Sequence, residues 1–312
     1  MIRYFGGRLL QILPVLFGVS LVVFFLVRLI PGDPAVATLG SRATPQLIAR
    51  VRDQLGLDLP LWQQYLNFLS HALQGDFGIS FFYQASVWDV TIARLPITLM
   101  LMVYSVILAL IMAVPFAYWS AARRGRVTDH ATRILFTIGL GMPVFWSGIM
   151  LAYLLGVRWK LLPTSGPGDG GLDSLVHFTL PALTLAISIA PILVRTLRSS
   201  LIEVLASDYV TTGRAMGLDN WTLRRSYIIR NSLRPLITVI TINFGYLIGG
   251  TVIVEQIFSL AGVGSLLIGS ISTRDYAVIQ LATLIFALLV VVVNLLGDLL
   301  YALIDPRLAL GT

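Results

Sequence analysis

Six stretches of the chain, 9–30, 96–120, 131–156, 176–194, 235–257 and 277–304, are long and apolar enough to cross a bilayer, a task that takes about 20 mostly hydrocarbon residues in a helix. Inside a membrane the backbone must satisfy its own N–H and C=O groups, so such segments fold as helices and constrain everything between them. The predicted class is an all-α integral membrane protein with six transmembrane helices. Composition agrees: 57% of the 312 residues are hydrophobic and only 12% are charged, about half the charged share of a soluble domain. Residues 9–30 follow Arg3 and Arg8 as a signal peptide would, but the run outlasts a signal core and passes straight into charged sequence. That predicts an uncleaved first helix. Pro14, Pro115, Pro143, Pro181 and Pro191 interrupt the spans, which is tolerated where neighbouring helices or a polar cavity meet the freed carbonyls.

Arginine placement orients the spans. With the N-terminus inside, one side holds Arg3, Arg8, Arg123, Arg124, Arg126, Arg133, the seven arginines from Arg195 to Arg234, and Arg307. The short loops on the opposite side hold only Arg158, Lys160 and Arg274. This positive-inside bias predicts cytoplasmic N- and C-termini and explains a pI near 10 without nucleic acid. Three segments follow: 1–30 with the first span, an external insertion over 31–95, and a core of 96–312 carrying a cytoplasmic loop over 195–234. In the insertion, Thr44-Pro45 starts a helix that Gly56 ends. Pro60 opens another, which places Trp62, Tyr65, Leu66, Leu69 and Leu73 on one face. That face suits the membrane surface or the bundle, which is compatible with its also docking a partner from outside.

Several chemistries are missing. A phosphate-binding loop needs Gly-Lys before Ser or Thr, and the single lysine, Lys160, follows Trp159. There is no cysteine, no H-E-x-x-H and no G-x-S-x-G. His71, His130 and His177 have no ligand spacing, so no catalytic and no metal residues are nominated. Ion-coupled carriers place ionisable groups deep in the membrane. Arg28, Glu255 and Asp298 lie near span ends, where snorkelling is cheap. Asn243 and Asn294 lie deeper, where helix–helix hydrogen bonding is the ordinary role. Asn243 and Glu255 are nominated as pathway-lining groups. The chain reads as a conduit without its own engine.

The loop 208–235, DYVTTGRAMGLDNWTLRRSYIIRNSLRP, holds five arginines between nearly pure hydrocarbon. Ser207 or Asp208 caps a short helix over Tyr209–Met216, and Gly217 stops it. Residues 221–234 predict a second helix, and Pro235 opens the fifth span. Gly213, Ala215 and Gly217 are small enough to let another protein approach the backbone. An ordinary basic loop against lipid headgroups is the other reading of the same residues.

DYVTTGRAMG and RNSLRP resemble the cytoplasmic loop of ATP-binding-cassette importer permeases, in the dipeptide, oligopeptide, glutathione and nickel branch, B-type subunit. There the pattern runs D-Y-V-x-T-A-x-A-x-G, then R-N-x-x-x-P. FLVRLIPGDP (25–34), QLGLDLPLWQQYL (54–66), LQGDFGIS (73–80), HFTLPALTLA (177–186), GGTVIVEQIF (249–258), RDYAVIQ (274–280) and NLLGDLLYALIDPR (294–307) continue the likeness in family order. Gly213 replaces the usual alanine, and Leu260-Ala261-Gly262 the usual proline-glycine. The Gly217–Pro235 spacing is the longer one of the peptide-importer branch. The resemblance implies a type I importer permease fold in the bacterial inner membrane and no enzyme activity in this chain. It also implies a paralogous permease partner, two cytoplasmic ATPases holding ATP and Mg, and an extracytoplasmic solute-binding protein. Asp208, Tyr209, Thr212, Gly213, Arg214, Ala215 and Gly217 would enter the ATPase, and the cargo would be a small peptide. The alternative is a stand-alone secondary permease or channel; an embedded enzyme is a third class, for which no ionisable cluster is found.

Overall fold

The computed structural model describes residues 13–25, 36, 44–54 and 56–304. Arg3, Arg8, Arg28, Arg307 and most of the 25–34 block lie outside them. In chain order the helices are α1 (Leu13–Phe25), α2 (Pro45–Gln54), α3 (Leu61–Leu73), α4 (Val87–Ile92), α5 (Leu95–Ala122), α6 (Val127–Gly141) and α7 (Val144–Leu151). A π-helical turn, Ala152–Arg158, follows α7. Next come α8 (Gly171–Leu205), α9 (Asp208–Ala215), α10 (Asn220–Thr222), a second π-helical stretch Leu223–Ile229, and α11 (Arg230–Ser232). The chain continues with α12 (Arg234–Ile257), α13 (Val263–Thr273) and α14 (Tyr276–Ile304). The strands Ile79–Ser80 and Ala85–Ser86 form one antiparallel hairpin.

Among the described residues, four helical stretches are long and apolar enough to cross a membrane: Val87–Ala122, Gly171–Leu205, Arg225–Ile257 and Tyr276–Leu300. The expected span 131–156 is broken: α6 is followed, at a bend of 105°, by α7 with its π-helical turn, Val144–Arg158. Pro143 causes the break. It lacks an N–H and excludes the preceding residue from helical backbone, and Met142 is extended at φ −81, ψ 121. Of the expected first span, the described part is α1. The second helix expected over 221–234 is not one regular α-helix but α10, the π-helical stretch and α11 in succession.

The chain divides into two compact units, residues 1–98 with 261–291, and 99–260 with 292–312. In the first, Thr44 accepts from the Leu47 amide at the start of α2, and Gly56 takes φ +60 after its end, as the sequence predicts. On α3 the expected apolar face is only partly covered. Tyr65 is buried against Phe17 and Phe24, with its hydroxyl 2.8 Å from Ser20 Oγ, while Trp62, Leu66 and Leu73 are exposed. A second cluster gathers Val87, Leu266, Val278, Leu281 and Ile285. Beside it the Asp275 carboxylate accepts from the Ser80 hydroxyl, so the GIS and RDY segments meet across 195 residues of chain.

In the second unit α8 is the hub, with α6, α7 and α12 all packed on it. Small residues permit the approach. A Cβ on Gly148 of α7 would meet the Thr184 methyl at 3.2 Å, and one on Gly250 of α12 would meet Leu185 Cδ2 at 2.8 Å. Helices in lipid have little hydrophobic drive to associate, so this close packing carries much of the association. Thr184 and Ser188 donate their hydroxyls back to Leu180 and Leu185 carbonyls, which keeps their polar atoms satisfied within the helix. Gly250→Leu should therefore cost about 1–3 kcal/mol of stability through overpacking, read as a lower unfolding midpoint of the full chain in detergent. Gly249→Leu, where nothing lies within 4 Å, should leave the midpoint nearly unchanged.

Candidate functional site: a docking helix and its brace

The nominated loop forms α9, held between the end of α8 and the π-helical stretch. Ser207 occupies the N-cap with extended backbone, but its hydroxyl donates to the Val204 carbonyl rather than capping α9. Asp208 is the first helical residue, where a carboxylate complements the positive end of the helix dipole. The other end closes as a Schellman motif. The Leu218 amide donates to the Gly213 carbonyl at 3.1 Å and the Gly217 amide to the Arg214 carbonyl at 3.1 Å. Gly217 sits at φ +78, a left-handed conformation that costs residues with a Cβ about 1–2 kcal/mol. Glycine is used there for its backbone.

One face of α9 is turned inward. Val210 and Gly213 are buried, and a Cβ at Gly213 would meet Leu223 Cδ1 at 3.0 Å and Leu218 Cδ1 at 3.2 Å. Gly213 is thus corrected from an approach point for another protein to the contact on which α9 packs against its own chain. Leu223 and Ile228, both buried, are five residues apart, the spacing that a π-helix brings onto one face. The opposite side exposes Asp208, Tyr209, Thr212, Arg214, Ala215 and Gly217. It also exposes two large apolar side chains that the sequence reading did not single out, Met216 at 78% and Trp221 at 70%. Neither sits in a recurrent spacing, so only the fold reveals their exposure. Tyr209 and Asn231, the Tyr of DYV and the Asn of RNSLRP, approach at 3.5 Å.

Between α9 and α10 the Asp219 carboxylate accepts from the Trp221 and Thr222 amides at 3.0 and 2.9 Å. Hydrogen bonding from Thr222, side chain and backbone, then from Trp221, holds this carboxyl below its ordinary value. A depressed carboxyl supports the turn above the carboxylate range and ceases to as pH falls through it.

A further element was missed because its partners are far apart in sequence. Arg198, ten residues before α9, forks onto Asp129 of α6: Nε to Oδ1 and Nη2 to Oδ2, both at 2.7 Å. Ser120 of α5 donates to Asp129 Oδ1 at 2.6 Å and accepts from Arg198 Nε at 2.9 Å. The Gly125 amide completes the shell at 2.9 Å. The Asp129 side chain is 2% exposed and that of Arg198 18%. A bidentate guanidinium–carboxylate pair is geometrically specific, so it fixes α8 against α5 and α6 just before the loop.

The nominated pathway groups are not exposed in the chain. Asn243 is half-buried and donates to the Val239 carbonyl at 2.8 Å. Glu255, expected to snorkel, is instead fully buried in α12. Close packing of α12 on its neighbours outweighs its nearness to the helix end. Among the described residues no group of three His, Cys, Asp or Glu could hold a metal.

Sequence comparison decides the family. The description "binding-protein-dependent transport system inner membrane component" matches residues 113–310, and its N-terminal counterpart matches 1–102. The chain belongs to that family of inner-membrane transport components. It is 36% identical to the dipeptide transport system permease protein DppB of Escherichia coli K12, over 99% of each chain. It is 38% identical to the glutathione transport system permease protein GsiC of the same strain, again over 99% of each. Among solved structures, an inward-facing MetNI methionine ABC transporter matches with a TM-score of 0.57 and 15% identity, over 69% of this chain and 95% of that one. An amino acid ABC transporter matches at 0.52 and 17%, over 68% and 93%. These two share the fold. The permease is accordingly an all-α, multi-pass inner-membrane protein.

The brace is testable in this permease. Asp129→Ala should cost about 2–3 kcal/mol, less than a fully buried pair because Arg198 keeps some access to water. Adding Arg198→Gln should recover part of that loss in a double-mutant cycle on the unfolding midpoint.

Proposed function

We propose that this permease is one of two similar membrane subunits of an ATP-driven importer of small peptides, and that α9 is the element a cytoplasmic ATPase grips. The observation carrying this is the form of the loop. A short helix is packed through Val210 and Gly213 onto its own chain and ends in a glycine stop, with Tyr209 on it, Met216 at its C-cap and Trp221 of α10 left exposed. A lipid-anchored basic loop has no need of such a braced knob. The arginine bias supports cytoplasmic N- and C-termini and a cytoplasmic position for the loop. The names of the relatives, a dipeptide and a glutathione permease, support a small peptide as cargo.

The division into a first span, an external insertion over 31–95 and a core over 96–312 belongs to the same proposal. A separate binding protein delivers the peptide to the external side. ATP and Mg are held by two ATPases, and this chain contributes no catalytic residue. When the ATPases close, α9 moves with them. Because α8 runs directly into α9 and carries Arg198, that motion is transmitted to α5, α6 and α12. A bound nucleotide shifts such an equilibrium only through differential affinity, so the ATPase must hold α9 differently in the inward- and outward-facing states.

The test is ATP-driven peptide uptake in vesicles holding the full complex. Met216→Asp with Trp221→Asp should lower uptake at least tenfold and release the ATPase on purification, while the chain remains inserted at its usual level. Arg158→Gln with Arg274→Gln should do neither. Uptake that persists after ATP is depleted would instead identify a secondary carrier.

A further inference from the structure

An open cavity of about 410 Å³ lies against the brace, lined by Arg124, Gly125, Asp129, His130, Arg133, Arg198, Ser199 and Ile202. It falls in the size range of small-ligand sites, and three guanidiniums line it. Asp129 offsets one of them through its fork with Arg198. Arg124 and Arg133 have no ion-pair or hydrogen-bond partner among the described residues. Arg198 Nη1 likewise donates to no described residue, since its fork uses Nε and Nη2. Left to itself, the cavity carries uncompensated positive charge.

We infer that this cavity holds the phosphate of an anionic phospholipid headgroup at the membrane boundary. Guanidinium planes suit phosphate oxygens in fork geometry, and basic pockets between membrane helices are recurrent headgroup sites. Two observations select a lipid over an acidic protein segment. The cavity sits where the spanning helix α5 ends at Ala122 and α6 begins at Val127. Directly beyond Arg133 on α6, Ile134, Leu135 and Ile138 are exposed, an apolar wall that acyl chains cover. Trp119, exposed in the last turn of α5, occupies the level where indole rings mark a membrane–water interface. The headgroup thereby neutralises the charge that the Asp129 fork leaves over and pins the α5–α6 turn to one leaflet. This inference rests on the chain's place in the membrane and not on the importer reading.

The experiment is native mass spectrometry of the full chain released from nanodiscs of mixed phosphatidylglycerol and phosphatidylcholine. The wild type should retain phosphatidylglycerol selectively. Arg124→Gln with Arg133→Gln should weaken that retention about thirty-fold, from two near-surface cations at their usual strength. Arg225→Gln with Arg230→Gln, outside the cavity, should leave it unchanged. Equal retention by the cavity variant and wild type would overturn the site. Inorganic phosphate bound in pure phosphatidylcholine nanodiscs, with no preference for phosphatidylglycerol in the mixture, would assign the cavity to a soluble anion and overturn the lipid.

Discussion

A carboxylate removed from water is tolerable only when charge and hydrogen bonds replace its hydration. Asp129 meets that condition with a forked arginine, a serine hydroxyl and a backbone amide. Each partner comes from a different place: Arg198 from α8, Ser120 from α5, Gly125 from the turn before α6. The demand of one buried charge thus fixes three helices relative to one another. Weakly associating apolar helices have few other means of fixing register, because lipid competes for their surfaces on nearly equal terms. The remaining means is close approach, and Gly148 and Gly250 supply it against Thr184 and Leu185.

Both devices act on α8. Its glycine-permitted contacts bind it to α7 and α12, and the fork binds it to α5 and α6. Past Leu205 the chain enters α9 with only Ala206 and Ser207 between the helices, a connection too short to dissipate a displacement. At the far side of α9 the Schellman turn and the Asp219 cap lead, within a few residues, into the π-helical stretch and α12. A push on α9 is therefore received at both ends by helices that already share a packed core. Stiffness here is a property of short connections and satisfied caps rather than of any single strong bond.

Much of this was legible in the sequence, and the failures have physical causes. Long apolar runs announced the spans because hydrocarbon length is a blunt constraint, and Gly56 and Gly217 announced helix ends because left-handed backbone favours glycine. Met142-Pro143 was read as a tolerated interruption when it is a 105° break; local rules say proline disrupts, but whether neighbours absorb the disruption is tertiary information. Arg198 was counted only as part of a topological bias, since nothing local joins it to Asp129 across 69 residues. Glu255 was placed by its distance from a helix end, whereas burial is set by which neighbour lies against that turn. The exposure of Met216 and Trp221 escaped because neither belongs to a helical or strand period.

Gly213 shows how the same residue reads differently once its neighbours are known. In a helix, glycine for alanine costs about 1 kcal/mol of propensity, which on sequence alone argues for a loosened docking element. In the fold, the methyl that alanine would add lies 3.0 Å from one leucine and 3.2 Å from another, closer than carbon atoms rest at their optimum. An alanine methyl would make the Leu223 and Leu218 side chains give by a few tenths of an ångström, an adjustment that glycine spares α9 and that acts against the propensity cost. The helix is intrinsically weaker but held by this seating, which is what the proposed coupling role asks of it. In the proposed role a lever loses motion at its mounting, and the mounting of α9 is its contact at Gly213 with Leu223 and Leu218.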